Sequence, residues 1–144
     1  MNPHITILRH RKSIQRERLV GCIESTARSW LPFDIHLTGV DKSNPDGWLY
    51  LGVGEGKERI IALQEALYRC IQGQDRKRVC ERPDPNVILG FFARNHAGRD
   101  AAFDEAINLN LSYRAVFDRI TITMFNSNTN KIVESLDFKL GLGP

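Results

Sequence analysis

The feature that most constrains the fold of this chain is a repeated order of predicted elements, in which a strand, a helix and a hairpin occur twice. The first unit begins with PHITIL (residues 3–8), and the second begins with NVILGFFA (residues 86–93) directly after Pro85. Both segments have the apolar, β-branched pattern that is typical of strands. A duplicated unit predicts two similar lobes about an approximate twofold axis, with the two leading strands facing each other.

The remaining elements follow from helical spacing, strand alternation and turn residues. Apolar residues at helical spacing predict one helix after a candidate cap at Ser13 and before Pro32, and another from about Ile60 to Gly73. A third helix is predicted over about residues 99–109. Turn-rich sequences between strand patterns predict two hairpins, formed by 33–40 with 48–54 and by 118–125 with 132–140.

These elements predict an α+β fold with two pseudo-symmetric lobes of antiparallel sheet, helices on the outer faces and a central groove. At 144 residues the chain is expected to be a single domain, residues 1–144. One lobe is expected to comprise roughly residues 1–58 together with the closing strands, and the other residues 59–144. Clefts between lobes are common ligand sites, so the groove is the candidate functional region.

Composition excludes several functional classes without selecting one. The net charge of +3 permits an anionic partner, although nucleic-acid-binding proteins usually carry a larger or more clustered excess. Histidines and cysteines are scattered, and the segment GVGEGKE lacks phosphate-loop spacing, so we predict no metal and no other cofactor. No signal peptide or apolar run of membrane-spanning length is found, which favours a cytoplasmic protein without membrane contact. Cys22, Cys70 and Cys80 form no CxxC pair, and we predict that they are reduced.

Strand alternation identifies the side chains that face the groove. In the first strand, His4 and Thr6 lie on one face, and the intervening isoleucines lie on the face that packs against helices. In the second strand, Asn86 and Ile88 occupy the corresponding face. We therefore expect these four side chains to meet between the lobes.

Three segments carry a resemblance to a known family. PHITIL matches a first HxT strand, PFDIHLTGV followed by WLYLGV matches a central hairpin, and RITITMFNSNTNKIVESLDFKL matches a closing hairpin. In this order and pattern the chain resembles the two-histidine (2H) phosphoesterase superfamily, which includes the RNA 2′,3′-cyclic phosphodiesterases once called 2′-5′ RNA ligases. The likeness covers nearly the whole chain.

The resemblance implies that two HxT or HxS motifs face each other and have different catalytic roles. One histidine takes a proton from the attacking water or hydroxyl, the other gives one to the leaving oxygen, and the hydroxyl residues hold the phosphoryl oxygens. It implies that His4 is an acid or base and that Thr6 is a phosphate ligand. The second motif departs from the pattern, because Asn86 cannot exchange a proton at neutral pH and Ile88 has no hydroxyl. Losing a positioned acid or base typically costs about 10²- to 10⁴-fold in rate.

Other residues are candidates for the same groove. His36-Leu37-Thr38 also spells HxT, so His36 either reaches the groove or remains an ordinary residue of the hairpin. His96 and His10 lie in polar segments and are alternatives for the missing imidazole, although a surface position is the usual one. Trp48 and Tyr50 share one strand face and either stack on a flat ligand or pack within the protein.

We therefore expect a diverged two-histidine phosphoesterase, a hydrolase that acts on a cyclic nucleotide, an RNA end or a related phosphorylated small molecule. It would use His4 as its single acid or base, with Thr6 and Asn86 donating hydrogen bonds to the ligand. One alternative is a catalytically inactive module that binds a nucleotide or another ligand. A further alternative is an isomerase or cyclase that acts on an organic metabolite with one histidine, because Ile88 makes the groove more apolar.

Overall fold

The computed structural model describes residues 4–10, 15–43, 47–73, 80–126, 128–129 and 131–141. Within them the helices and strands follow in this order: β1 (Arg9–His10), α1 (Arg16–Ser29), β2 (Phe33–Lys42), β3 (Trp48–Val53), α2 (Lys57–Gln72), β4 (Cys80–Glu81), β5 (Asn86–Phe91), α3 (His96–Asn108), β6 (Ser112–Phe117), β7 (Arg119–Phe125) and β8 (Ile132–Lys139).

All strand pairs among the described residues are antiparallel. The central sheet has the order β5-β3-β2-β6, β7 pairs with β8, and β1 pairs with β4. Together with the helices, these sheets confirm the predicted α+β class, and the two predicted hairpins are present as β2–β3 and β7–β8. The internal repeat and the division into lobes at residue 58 stay predictions.

The hydrophobic core lies on one face of the central sheet, beneath α1 and α2. Its buried members come from these two helices, from β2, β3, β6 and β7, and from the residue after β8: Ile23, Ala27, Phe33, Ile35, Val53, Ile60, Leu63, Leu67, Phe117, Ile120, Ile122 and Leu140. Because side chains alternate along a strand, the residues between the buried positions of β2, β3 and β5 project from the opposite face. We call this second face, opposite Ile35, Leu51 and Val87, the open face.

The strand predicted at residues 3–8 is only partly formed. Pro3 lies outside the described residues, Ile5 makes an isolated antiparallel bridge to Val87, and regular pairing begins at Arg9. The physical reason is visible at Ile7, whose carbonyl oxygen accepts a hydrogen bond from the side-chain amide of Gln64 at 3.0 Å. A side chain of α2 therefore takes the place of a neighbouring strand there.

Strand β6 was not predicted from the sequence. It forms an edge of the central sheet, where it pairs with β2 along its whole length, from Ser112 opposite Thr38 to Phe117 opposite Phe33. Only Phe117 in this strand is buried. Tyr113, Ala115 and Phe117 alternate with Ser112 and Arg114, but Val116 is apolar although it is exposed, so the alternating pattern is too short to predict a strand.

The predicted helices are present, with small changes at their ends. The first ends at Ser29, before Pro32, and the second ends at Gln72, followed by Gly73 at a φ of 53°. The third begins at His96, three residues before the predicted position, and the Asn95 side chain caps it by accepting a hydrogen bond from the Gly98 amide at 2.9 Å. Ser13, the predicted cap of the first helix, lies outside the described residues. None of the described helices combines the length and apolarity that crossing a bilayer requires.

The prediction of reduced cysteines was wrong for two of the three. Cys22 on α1 and Cys70 on α2 form a disulfide with their Cα atoms 5.7 Å apart, although 48 residues separate them in sequence. The pairing depends on how the two helices pack, which the spacing of cysteines does not reveal. Cys80 is a buried free thiol that packs in the same cluster as Cys22 and Ile71, and burial raises its pKa.

Candidate functional site

The two segments that sequence analysis singled out lie side by side. The first motif segment (residues 4–8) contacts the second (residues 86–88) through the antiparallel bridge between Ile5 and Val87, which we call the motif bridge. In an antiparallel pair, directly opposite residues share a face. Extending the register by one residue in each direction sets His4 opposite Ile88 and Thr6 opposite Asn86. All four side chains then project from the face opposite Ile5 and Val87.

This register spaces the polar groups suitably for a small anion. His4 and Asn86 are diagonal neighbours across the pair, a relation that corresponds to about 7–8 Å between strand positions. A tetrahedral phosphate fits between two side chains at this spacing and can hydrogen-bond to both. His4 and Ile88 are exposed, whereas Thr6 and Asn86 are half-buried, so a ligand reaches the site from solvent.

Gln64 connects the first motif segment to the residues just before the second through two hydrogen bonds. This residue of α2 is 4% exposed, and its amide nitrogen donates to the carbonyl of Ile7 at 3.0 Å and to the carbonyl of Pro83 at 2.6 Å. One acceptor directly follows Thr6 and the other lies shortly before Asn86. Sequence analysis missed Gln64, although a polar residue within the apolar stripe of a helix was an available signal.

Tyr50 extends the site onto strand β3. It pairs with Ile88 on one side and with Asp41 on the other, so that a row of side chains crosses the open face from His4 to Asp41. Partial burial of the phenol, followed by the charge of Asp41 and a hydrogen bond to it, raises the pKa of Tyr50. The phenol therefore stays protonated at neutral pH and donates to the Asp41 carboxylate.

Trp48 lies one step further along the same face. It pairs with Phe91 of β5, and the two ring centroids are 4.3 Å apart with their planes inclined by 33°. Phe91 was not singled out from the sequence. Its part in the site depends on a register that only the paired strands define.

His36 lies on the open face but away from the motif bridge. It is on β2, where its carbonyl accepts a hydrogen bond from the amide of Gly54, directly after β3, and its Nε2 is 2.6 Å from the Ser112 hydroxyl. With strands about 4.8 Å apart and residues about 3.3 Å apart, His36 is roughly 15 Å from the motif bridge along the sheet. An acid or base must come within about 3 Å of the proton that it transfers. The register therefore does not bring His36 to the motif bridge.

The other two histidines, His96 and His10, also lie away from the motif bridge. His96 is the first residue of α3, beyond the end of β5, and its side chain is exposed. The backbone of His10 pairs with Cys80 in the β1–β4 sheet, and its side chain lies outside what the structure describes. Neither residue belongs to the row that crosses the open face.

Elsewhere among the described residues, the structure has a surface depression but no candidate metal centre. Among the described residues, no group of three or more histidine, cysteine, aspartate or glutamate side chains is arranged to hold a metal ion. A surface depression of about 460 Å³ lies at the turn between β3 and α2, lined by charged residues of both signs such as Glu55 and Arg59. It shares no residue with either motif segment.

Comparison with known proteins identifies the family. The family model of the 2′-5′ RNA ligase superfamily matches residues 1–128 of the chain. The chain belongs to this superfamily. A search of curated proteins gave no match. Membership agrees with the resemblance drawn from the HxT strand and the two hairpins, and the matched region contains both motif segments, Gln64 and the aromatic pair.

Proposed function

We propose that this member of the 2′-5′ RNA ligase superfamily binds a cyclic nucleotide or the end of an RNA between its motif segments. His4 would act on the phosphate as the single acid or base of a phosphoesterase. The observation that carries the proposal is the antiparallel motif bridge, because its register sets His4 and Thr6 across from Ile88 and Asn86. A cytoplasmic location remains part of this proposal.

The chemistry requires two proton transfers on opposite sides of phosphorus. Opening a 2′,3′-cyclic phosphate with water forms one P–O bond and breaks another, so the attacking water loses a proton and the leaving ribose oxygen gains one. His4 performs one transfer, and solvent performs the other. The Thr6 hydroxyl and the Asn86 amide donate hydrogen bonds to the phosphoryl oxygens. Without a second positioned group, turnover is expected to be about 10²- to 10⁴-fold slower than with a complete pair.

Hydrolysis of a 2′,3′-cyclic nucleotide by the purified chain tests the proposal. His4→Ala is expected to abolish the measured turnover, because it removes the one proton-transfer group at the motif bridge. His96→Ala is the matched control, since it removes an exposed imidazole from the edge of the α3 helix and should leave the rate unchanged. Turnover that survives in His4→Ala, or that disappears in His36→Ala instead, would contradict the assignment.

A module that binds without turnover is the second candidate, and one observation favours it. Both side chains that a second motif would supply have been replaced, by Asn86 and by Ile88, so the two changes remove catalysis but retain a donor and an apolar contact. In this case the wild-type chain binds the nucleotide and releases it unchanged. A third candidate, a one-histidine isomerase or cyclase of an organic metabolite, is favoured by the apolar surface of Ile88 and predicts no phosphate binding.

A further inference from the structure

The open face continues beyond His4 into an exposed aromatic pair. Trp48 is 37% exposed and Phe91 is 55% exposed, although their ring centroids lie only 4.3 Å apart. Ile88, directly opposite Tyr50 in the next row, is 43% exposed. These side chains form an apolar strip, defined as Trp48, Ile88 and Phe91, that starts at the motif bridge and runs along β3 and β5. Contiguous apolar surface of this kind marks a binding site more often than a scattered exposed side chain does.

A β-bulge aligns this strip with the motif segments. Leu49 pairs with Gly90 and Tyr50 pairs with Ile88, so Leu89 is an extra residue of β5 without a partner on β3. In a regular strand, Ile88 and Phe91 would project from opposite faces because they are three residues apart. The extra residue shifts the alternation of side chains along β5 by one position, so that both Ile88 and Phe91 project from the open face. Bulges that re-aim side chains in this way are frequent beside functional sites.

We propose that Trp48 and Phe91 form the subsite for the nucleobase of the ligand whose phosphate binds at the motif bridge. This inference rests on the proposed function and adds the part of the substrate that the strip recognises. The aromatic pair lies roughly 10 Å from the motif bridge along β5, a distance that a ribose and its base span. Aromatic rings bind bases by stacking, which tolerates any base because each has a π-face.

The size of the strip favours a base over a protein partner. Stable protein interfaces use about 20–30 residues on each side, whereas this strip contains three side chains. None of the three is charged, so the strip recognises a flat neutral group and leaves the anionic group to His4, Thr6 and Asn86. A ligand with a phosphate at one end and a base at the other fits both parts.

Tryptophan fluorescence measures the subsite without depending on catalysis. The chain has two tryptophans, and Trp30→Phe leaves Trp48 as the only reporter. Adenosine, which has a base but no phosphate, is expected to quench this emission, and so is adenosine 2′,3′-cyclic phosphate. Ribose 5-phosphate, which has a phosphate but no base, should leave it unchanged. Calorimetric titration of the unmodified chain with the same three compounds gives a second reading if Trp30→Phe fails to fold.

Variants of Phe91 test the second ring. Phe91→Leu keeps apolar packing against Trp48 but removes the stacking surface, and we expect it to weaken adenosine binding by about 5- to 150-fold. Phe125→Ala is the matched control, because it truncates an exposed aromatic residue on β7, outside the strip. An adenosine affinity that is the same in Phe91→Leu and in the unmodified chain would overturn the inference. So would a failure of adenosine to bind by both methods.

The outcomes separate this inference from the proposed function. If cyclic nucleotides are hydrolysed but Phe91→Leu leaves their KM unchanged, the phosphoesterase proposal stands and the base subsite is refuted. If no hydrolysis is found but adenosine binds to Trp48 and Phe91→Leu weakens it, the subsite stands and the catalytic proposal fails.

Discussion

Asn86 lies diagonally across from His4 in the extended register, and its side chain limits the proton transfers that the proposed site can perform. An amide donates and accepts hydrogen bonds but transfers no proton near neutral pH. Ile88, across from His4 in the extended register, presents hydrocarbon and has no hydroxyl to donate. Asn86 and Ile88 both lie on β5, while His4 and Thr6 lie on the first motif segment. At the scale of single residues, the proposed site therefore has one imidazole and one hydroxyl.

Restoring the second motif tests whether the backbone geometry is still competent. The double variant Asn86→His with Ile88→Thr is expected to raise the kcat/KM for a 2′,3′-cyclic nucleotide by about 10²- to 10⁴-fold, the usual contribution of a positioned acid or base. Its pH–rate profile should become bell-shaped, since two groups then transfer protons. Ile88→Thr alone is the matched control, because it adds the hydroxyl without the imidazole. Equal rates for the double variant and this control would contradict the prediction.

At the scale of elements, the helices and strands that could be predicted from the sequence are those in which buried residues recur at a regular spacing. Strand β2 alternates buried Phe33 and Ile35 with exposed Asp34, and α2 repeats buried Ile60, Leu63 and Leu67, so both were predicted. Strand β6 buries only Phe117, and its alternation is interrupted by the exposed Val116, so the signal was too short. Phe91 was missed for another reason, since a bulge in β5 shifts the phase of the alternation on which face assignment depends.

The position of the first motif segment was predictable only in part. Alternation identified His4 and Thr6 as neighbours on one face, but it did not indicate that a single bridge at Ile5 and a side-chain contact would replace a strand ladder. The contact comes from Gln64 on α2, far from the motif in sequence. Long-range hydrogen bonds of this kind leave no periodic pattern in the sequence, which is why this contact was not predicted.

Gln64→Leu is expected to loosen the site by removing that support. The substitution keeps the volume in the core but leaves the half-buried carbonyls of Ile7 and Pro83 without their donor, at a cost of up to roughly 1–3 kcal/mol each. We expect a lower free energy of unfolding, measured in urea, together with weaker nucleotide binding at the motif bridge. Ile61→Leu, at an exposed position of the same helix, should change neither quantity. Unchanged binding in a destabilised Gln64→Leu variant would show that Gln64 supports the fold but not the site.

At the scale of the whole molecule, the disulfide favours an oxidising compartment, whereas the sequence favoured the cytoplasm. Disulfides persist mainly in oxidising compartments and are rare in the cytosol, yet Cys22 and Cys70 join α1 to α2 beneath the sheet. These helices cover the core on which β2, β3 and the motif segments rest. The bond therefore stabilises the elements that support the groove, and it lies away from the side chains that would face a ligand. Whether it is oxidised in the cell depends on the compartment in which the protein resides.

Reduction of this disulfide is expected to destabilise the chain without abolishing the site. Constraining a loop that spans 48 residues contributes up to about 4 kcal/mol to the free energy of unfolding. Urea unfolding of the wild-type chain should therefore shift to lower denaturant when a reductant is added. The double variant Cys22→Ser with Cys70→Ser should start at the lower midpoint and show no response to the reductant, whereas Cys80→Ala should keep the response. A reductant-insensitive wild type would show that the two helices hold together without the bond.

Alkylation of thiols in intact cells, followed by mass spectrometry, measures whether the cell contains the reduced or the oxidised form. A cytoplasmic protein is expected to carry Cys22 and Cys70 as modified thiols.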